Sequence, residues 1–76
     1  MRIYLGGHLN FYHPKKEKWL EVQLEDAERL ADLLDRAGIP LAEVQMVAVN
    51  GEVVDLQDTL VSEGDQVKVF SAVGGG

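Results

Sequence analysis

Two groups of residues in this chain have chemical options. One is a pair of histidines, His8 and His13, and the other is a run of three glycines, Gly74, Gly75 and Gly76, at its end. Histidine ligates metals and moves protons near neutral pH. Two readings stand for the pair: a metal pair, for which no third ligand has an obvious spacing, or ordinary loop residues. Nucleophilic catalysis has less to draw on, because no Ser, His and acid stand at a motif's spacing. The glycines offer something different. A glycine run contributes nothing to a core, so its use must lie elsewhere. Its carboxylate is a poor electrophile, so acyl transfer from it first needs a leaving group such as ATP-dependent adenylation supplies. The alternative is a piece of linker, with the activity elsewhere.

Composition narrows the field. Seventy-six residues make one small domain, which buries only about 60% of its unfolded surface and leaves no room for a large pocket. The absence of cysteine removes disulfides, thiolate metal sites and cysteine nucleophiles together. Thirteen Asp and Glu against seven Lys and Arg give a net charge of −6. Phosphate backbones and anionic lipid repel such a surface, so neither nucleic acid nor a membrane is an expected partner. "MRIYLGG" lacks the apolar core of a signal peptide, and no apolar run approaches a membrane span, which points to a cytoplasmic protein.

The elements that must position the terminus follow from periodicity. Met1, Ile3 and Leu5 alternate with Arg2 and Tyr4, and Leu20, Val22 and Leu24 alternate with Trp19, Glu21 and Gln23, which predicts two strands forming a hairpin. Between them "HLNFYHPKKEK" is an exposed loop carrying Lys15, Lys16 and Lys18. From Asp26, as N-cap, apolar residues Ala27, Leu30, Ala31, Leu34 and Ala37 recur at helical spacing until Gly38 and Pro40 end the helix, with Leu33 at the border of its stripe. Asn50-Gly51 predicts a hairpin turn with Val47 and Val49 facing inward. A polar stretch with a turn at Glu63-Gly64-Asp65 follows. "VKVF" is then a last strand with Val67 and Val69 inward and Lys68 and Phe70 outward. This order predicts an α+β fold, with a mixed sheet of four to five strands packed on one main helix.

"VAVNGE" followed by "EGDQVKVFSAVGGG" resembles the MoaD/ThiS family of sulfur carrier proteins, which have the ubiquitin-like β-grasp fold. Such members share a Val-Asn-Gly hairpin, a Gly-Asp before the last strand and a terminal Gly-Gly. The resemblance implies a domain over residues 1–70 and a free C-terminal tail over 71–76. It also implies that an E1-like enzyme uses ATP to adenylate Gly76, and that a persulfide or sulfide converts the acyl-adenylate to a thiocarboxylate. Gly75 would be the second residue of the motif, with Gly74 extending the slim segment. The chain itself would then be no enzyme and bind no cofactor, serving as a carrier or as the non-catalytic small subunit of a synthase. Implied partners are the E1-like enzyme, a persulfide donor, and an acceptor such as a molybdopterin synthase large subunit or a thiazole synthase. The long first loop leans towards the molybdopterin or tungstopterin branch and the glycine-rich end towards thiamin, while Ser71-Ala72 stand where many molybdopterin-synthase small subunits have prolines. The other functions open to such a fold are a protein modifier joined to lysines and an interaction module with no terminal chemistry.

Docking is expected on the sheet face that the helix leaves bare. Phe70, Lys68 and Ala48 fall on that face and Val73 follows it, so these four are the expected partner-binding residues. Phe70 could instead pack on Tyr4, and Trp19 has the same two options. The acidic residues of the helix are either a partner surface or the usual solvated face.

Overall fold

The computed structural model describes residues 1–72. Its frame is a mixed five-stranded sheet in the order β2-β1-β7-β4-β5, built from β1 (Arg2–Gly6), β2 (Trp19–Glu21), β4 (Val44–Val49), β5 (Glu52–Val54) and β7 (Val67–Ser71). β1 and β7 run parallel in the middle, and every other neighbouring pair is antiparallel. One helix, α1 (Leu30–Arg36), buries Leu30, Ala31, Leu33 and Leu34. These pack with Ile3, Leu5, Val47, Val67 and Val69 into one core, as the converging periodicities require. Val49 joins only as a partly buried neighbour. This is the α+β, ubiquitin-like β-grasp fold.

The hairpin turn is built as its dipeptide dictates. Asn50 has φ 52° and Gly51 φ 86°, and β4 and β5 pair in register on either side of them. Gly38, at φ 85°, closes the helix: Ile39 N–H returns to Leu34 C=O at 2.9 Å, and Ile39 is then buried.

The helix starts later than its sequence pattern indicates. Glu28 and Arg29 form β3 (Glu28–Arg29), which pairs antiparallel with β6 (Leu60–Val61) and leaves Arg29 as N-cap in place of Asp26. Leu30 N–H donates to Thr59 C=O, and Val61 is buried. The backbone groups of 28 and 29 thus find partners thirty residues away, and this long-range pairing overrides a local helical period that Ala27 would have continued. The loop after β1 also departs from expectation. A 3-10 turn at Leu9–Tyr12 drives Leu9 fully into the core. No helix among the described residues is long and apolar enough to cross a membrane.

Candidate functional site

The last strand, β7, carries the outward residues expected to meet a partner and ends one residue before the last described residue, Ala72. Its inward residues are the buried Val67 and Val69. Its outward residues Lys68 and Phe70 stand in two cross-strand rows. One row runs Trp19, Tyr4, Lys68, Ala48, Val53 and the other Gly6, Phe70, Met46. Residues opposite one another on a face are in side-chain reach. Phe70, Lys68 and Ala48 are therefore neighbours on the bare face. Met46 and Val53 beside them are 42% and 70% exposed, a large apolar content for solvent-facing positions.

Phe70 does two things at once. Its ring lies against the β1 backbone at Gly6, where a Cβ would overlap it, and 6.1 Å from the Tyr4 ring. Tyr4 in turn meets Trp19 edge-on at 5.2 Å, and the Arg2 guanidinium lies 4.3 Å from the Trp19 ring centroid. Packing on Tyr4 and belonging to an exposed strip are thus compatible. The three rings form one aromatic band, with Phe70 half-buried at its tail end. Trp19 stands at the other end, 40% exposed.

At the tail's root the strand runs one residue further than Phe70. Ser71 belongs to β7 and is 2% exposed. The reason lies in the loop after β1. His8 N–H donates to Ser71 Oγ at 2.9 Å, and Ser71 Oγ stands 3.2 Å from His8 Nδ1. Ala72 follows outside any regular element and is exposed. Val73, expected in the docking set, and Gly74, Gly75 and Gly76 lie outside the described residues.

The structure does bring a serine, a histidine and an acid together, which sequence spacing hid. His8 Nε2 stands 3.9 Å from Glu43 Oε2, beyond hydrogen-bond reach. Ser71 Oγ is buried and already accepts the His8 amide. A nucleophile needs an open approach and an aligned base, so the trio holds chain in place and does no acyl chemistry. His13 is separate: its Nδ1 accepts Lys15 N–H at 2.9 Å inside the loop. No group of three or more potential metal ligands occurs among the described residues.

The two remaining motif pieces meet at the opposite end of β7. Asn50 Nδ2 donates to Asp65 Oδ1 at 3.0 Å, Gln66 N–H to Asn50 Oδ1 at 2.9 Å, and Ser62 N–H to Asp65 Oδ2 at 2.8 Å. The Asn50 amide and the Ser62 backbone hold the Asp65 carboxyl below its ordinary range by bonding to its charged form. Asn-Gly and Gly-Asp are one brace read as two motifs. A surface depression of about 620 Å³ opens beside it, lined by Arg2, Trp19, Glu63 and Lys68 among others. It lies at the entry of β7, at the other end of the strand from Ser71.

The chain matches the model of the ThiS family over residues 11–76. No curated protein sequence matches it. Solved structures do. Subunits 1 and 2 of a molybdopterin-converting factor from Helicobacter pylori, solved as a complex, include a chain with TM-score 0.60 at 23% identity, covering 99% of this chain and 96% of that one. The thiamine biosynthesis protein ThiS from Geobacter metallireducens matches in its crystal structure with TM-score 0.59 at 26% identity, over the whole of both chains. A solution structure of a thiamine biosynthesis protein from the same organism gives 0.56 at 28%, covering all of this chain and 88% of that one.

Proposed function

The chain belongs to the ThiS family, and from that membership we propose that it is a sulfur carrier whose terminal Gly76 is adenylated, converted to a thiocarboxylate and spent in cofactor biosynthesis. The observation that carries this reading is that the family match runs through the glycines and that β7, which leads to them, also bears the exposed aromatic face. An E1-like enzyme uses ATP to adenylate the terminus, and a separate persulfide donor supplies the sulfur. The carrier supplies a surface and a slim acyl group.

In this reading Phe70, Lys68 and Ala48 make the docking surface, with Val73 continuing it. Met46 and Val53 extend its apolar area. The acceptor is a synthase of the molybdopterin or thiamin type, in keeping with the molybdopterin-converting factor and thiamine biosynthesis proteins of the same fold.

The test uses purified activating enzyme, ATP, a persulfide donor and a thiol that reduces the acyl disulfide formed on sulfur transfer, following pyrophosphate release and intact mass together. The parent chain gains the mass difference between sulfur and oxygen, and deletion of Gly75 and Gly76 abolishes both signals without changing the melting temperature. Phe70→Ala weakens partner affinity in calorimetry while the domain stays folded, since truncating a central aromatic anchor of an interface typically costs at least about 1–2 kcal/mol of binding. Turnover of the two-glycine deletion at the parent's rate would remove the carrier assignment. Covalent ladders on lysines of other proteins would replace it with protein modification.

A further inference from the structure

The end of β7 has little ladder to hold it beyond Phe70, and one hydroxyl adds to what remains. On the β1 side the ladder stops at Gly6 opposite Phe70, where β1 turns away through Gly7 at φ 63°. On the β4 side the pairing of Ser71 with Val44 is separated from the rest of the ladder by an irregularity between Val44 and Met46. Both flanking ladders therefore weaken at the same residue. The Ser71 side chain adds to them. Its Oγ accepts His8 N–H at 2.9 Å, and the hydroxyl proton has two acceptors within reach, His8 Nδ1 at 3.2 Å and Ala72 C=O at 3.3 Å. The contact exists because residue 7 is glycine. A Cβ there would overlap Ser71 Oγ and stand 3.1 Å from Ser71 N, on a backbone that side chains other than glycine's rarely adopt. Ser71 is also the one polar residue fully buried among the described residues.

We propose that Ser71, gripped by Gly7 and His8, is a positioning residue for the terminal acyl group: it fixes the point from which the tail leaves the domain. The inference rests on the carrier reading, in which a partner must take up the terminus. Four residues separate Ala72 from the end of the chain, and four extended residues span at most about 14 Å. The grip therefore sets how far from the aromatic face the acyl carbon can be delivered. Freed from it, Ser71 becomes additional chain that the partner has to order. That cost falls on capture of the terminus, because Gly76 presents the same carboxyl to ATP once it is in place.

The experiment compares the parent, Ser71→Ala and Ser71→Thr in ATP-dependent pyrophosphate release with the activating enzyme, alongside amide hydrogen exchange of His8. Ser71→Ala is expected to lose His8 protection and to raise KM about tenfold, the equivalent of ordering roughly one freed backbone residue, with kcat unchanged. Ser71→Thr keeps the hydroxyl and is expected to restore KM to the extent that it restores His8 protection. Loss of His8 protection with an unchanged KM overturns the inference and leaves the carrier reading intact. So does a loss confined to kcat, or a KM in Ser71→Thr that stays high although His8 is protected. A parent chain that is never adenylated overturns the carrier reading, and the inference with it.

Discussion

The two ends of β7 are secured by opposite means. At its entry, Asn50, Ser62, Asp65 and Gln66 form a closed ring of bonds: three use side chains, and the backbone adds Asn50 N–H to Gln66 C=O at 2.8 Å and Asp65 N–H to Ser62 C=O at 3.0 Å. Next to this brace, the N-terminal amine bonds to the Glu63 carboxylate and, at 2.8 Å, to Val22 C=O. At its exit, beyond an irregularity in the β4 ladder, Ser71 pairs with Val44 alone and its buried hydroxyl meets the His8 amide beside Gly7. Redundant polar bonds near solvent tolerate the loss of any one, because water replaces it. A solitary buried contact has no replacement, so its tolerance depends on fit. The entry is a cross-linked turn, and the exit is a steric fit that holds one point.

That contrast ranks the outcomes of mutation. Gly7→Ala should be the most damaging, since it combines a backbone at φ 63° with direct overlap of Ser71 Oγ; we expect a loss of about 2–4 kcal/mol, read from urea unfolding. A loss under about 1 kcal/mol would show that the exit can slide. Gly51→Ala tests the same backbone conformation at the entry hairpin, where φ is 86° and no atom lies within 4 Å of the new Cβ. Strain alone remains there, so about 1–2 kcal/mol is expected. Equal costs at Gly7 and Gly51 would mean that the overlap at the exit relaxes freely.

Asn50→Gly keeps the φ of 52° accessible and removes only the side-chain bonds to Asp65 and Gln66. For exposed bonds we expect about 1 kcal/mol in the same assay. The smallest effect is on pH dependence. Asp65 titrates lower in the folded chain than in the unfolded one, chiefly through the Asn50 side chain and then Ser62. Its contribution is therefore present above the ordinary aspartate range and disappears as the pH falls through the folded value, below about pH 4. The stability gap between the parent and Asp65→Asn should accordingly narrow as pH falls below about 4. A constant gap down to acid unfolding would remove Asp65 from the brace.

What could be read from the residues alone was local, or carried by motifs. The alternation in β1 and β7, the stripe of α1, the turn at Asn50-Gly51 and the stop at Gly38 each depend on neighbours within a few positions, so the chain's own periodicity determines them. The inward set of Leu30, Leu34, Val67 and Val69 followed, and so did the fold. The family resemblance was legible for another reason: its pieces stand at separations that the fold requires. Tertiary structure alone decided the remainder. Glu28 and Arg29 leave the helix because Leu60 and Val61 offer backbone partners, and Leu9 enters the core from a loop that reads as polar. Asn50 meets Asp65 fifteen positions away, and His8 meets Ser71 across sixty-three. No local period encodes such contacts; the parallel pairing of β1 with β7 is what carries the first loop to the end of the last strand.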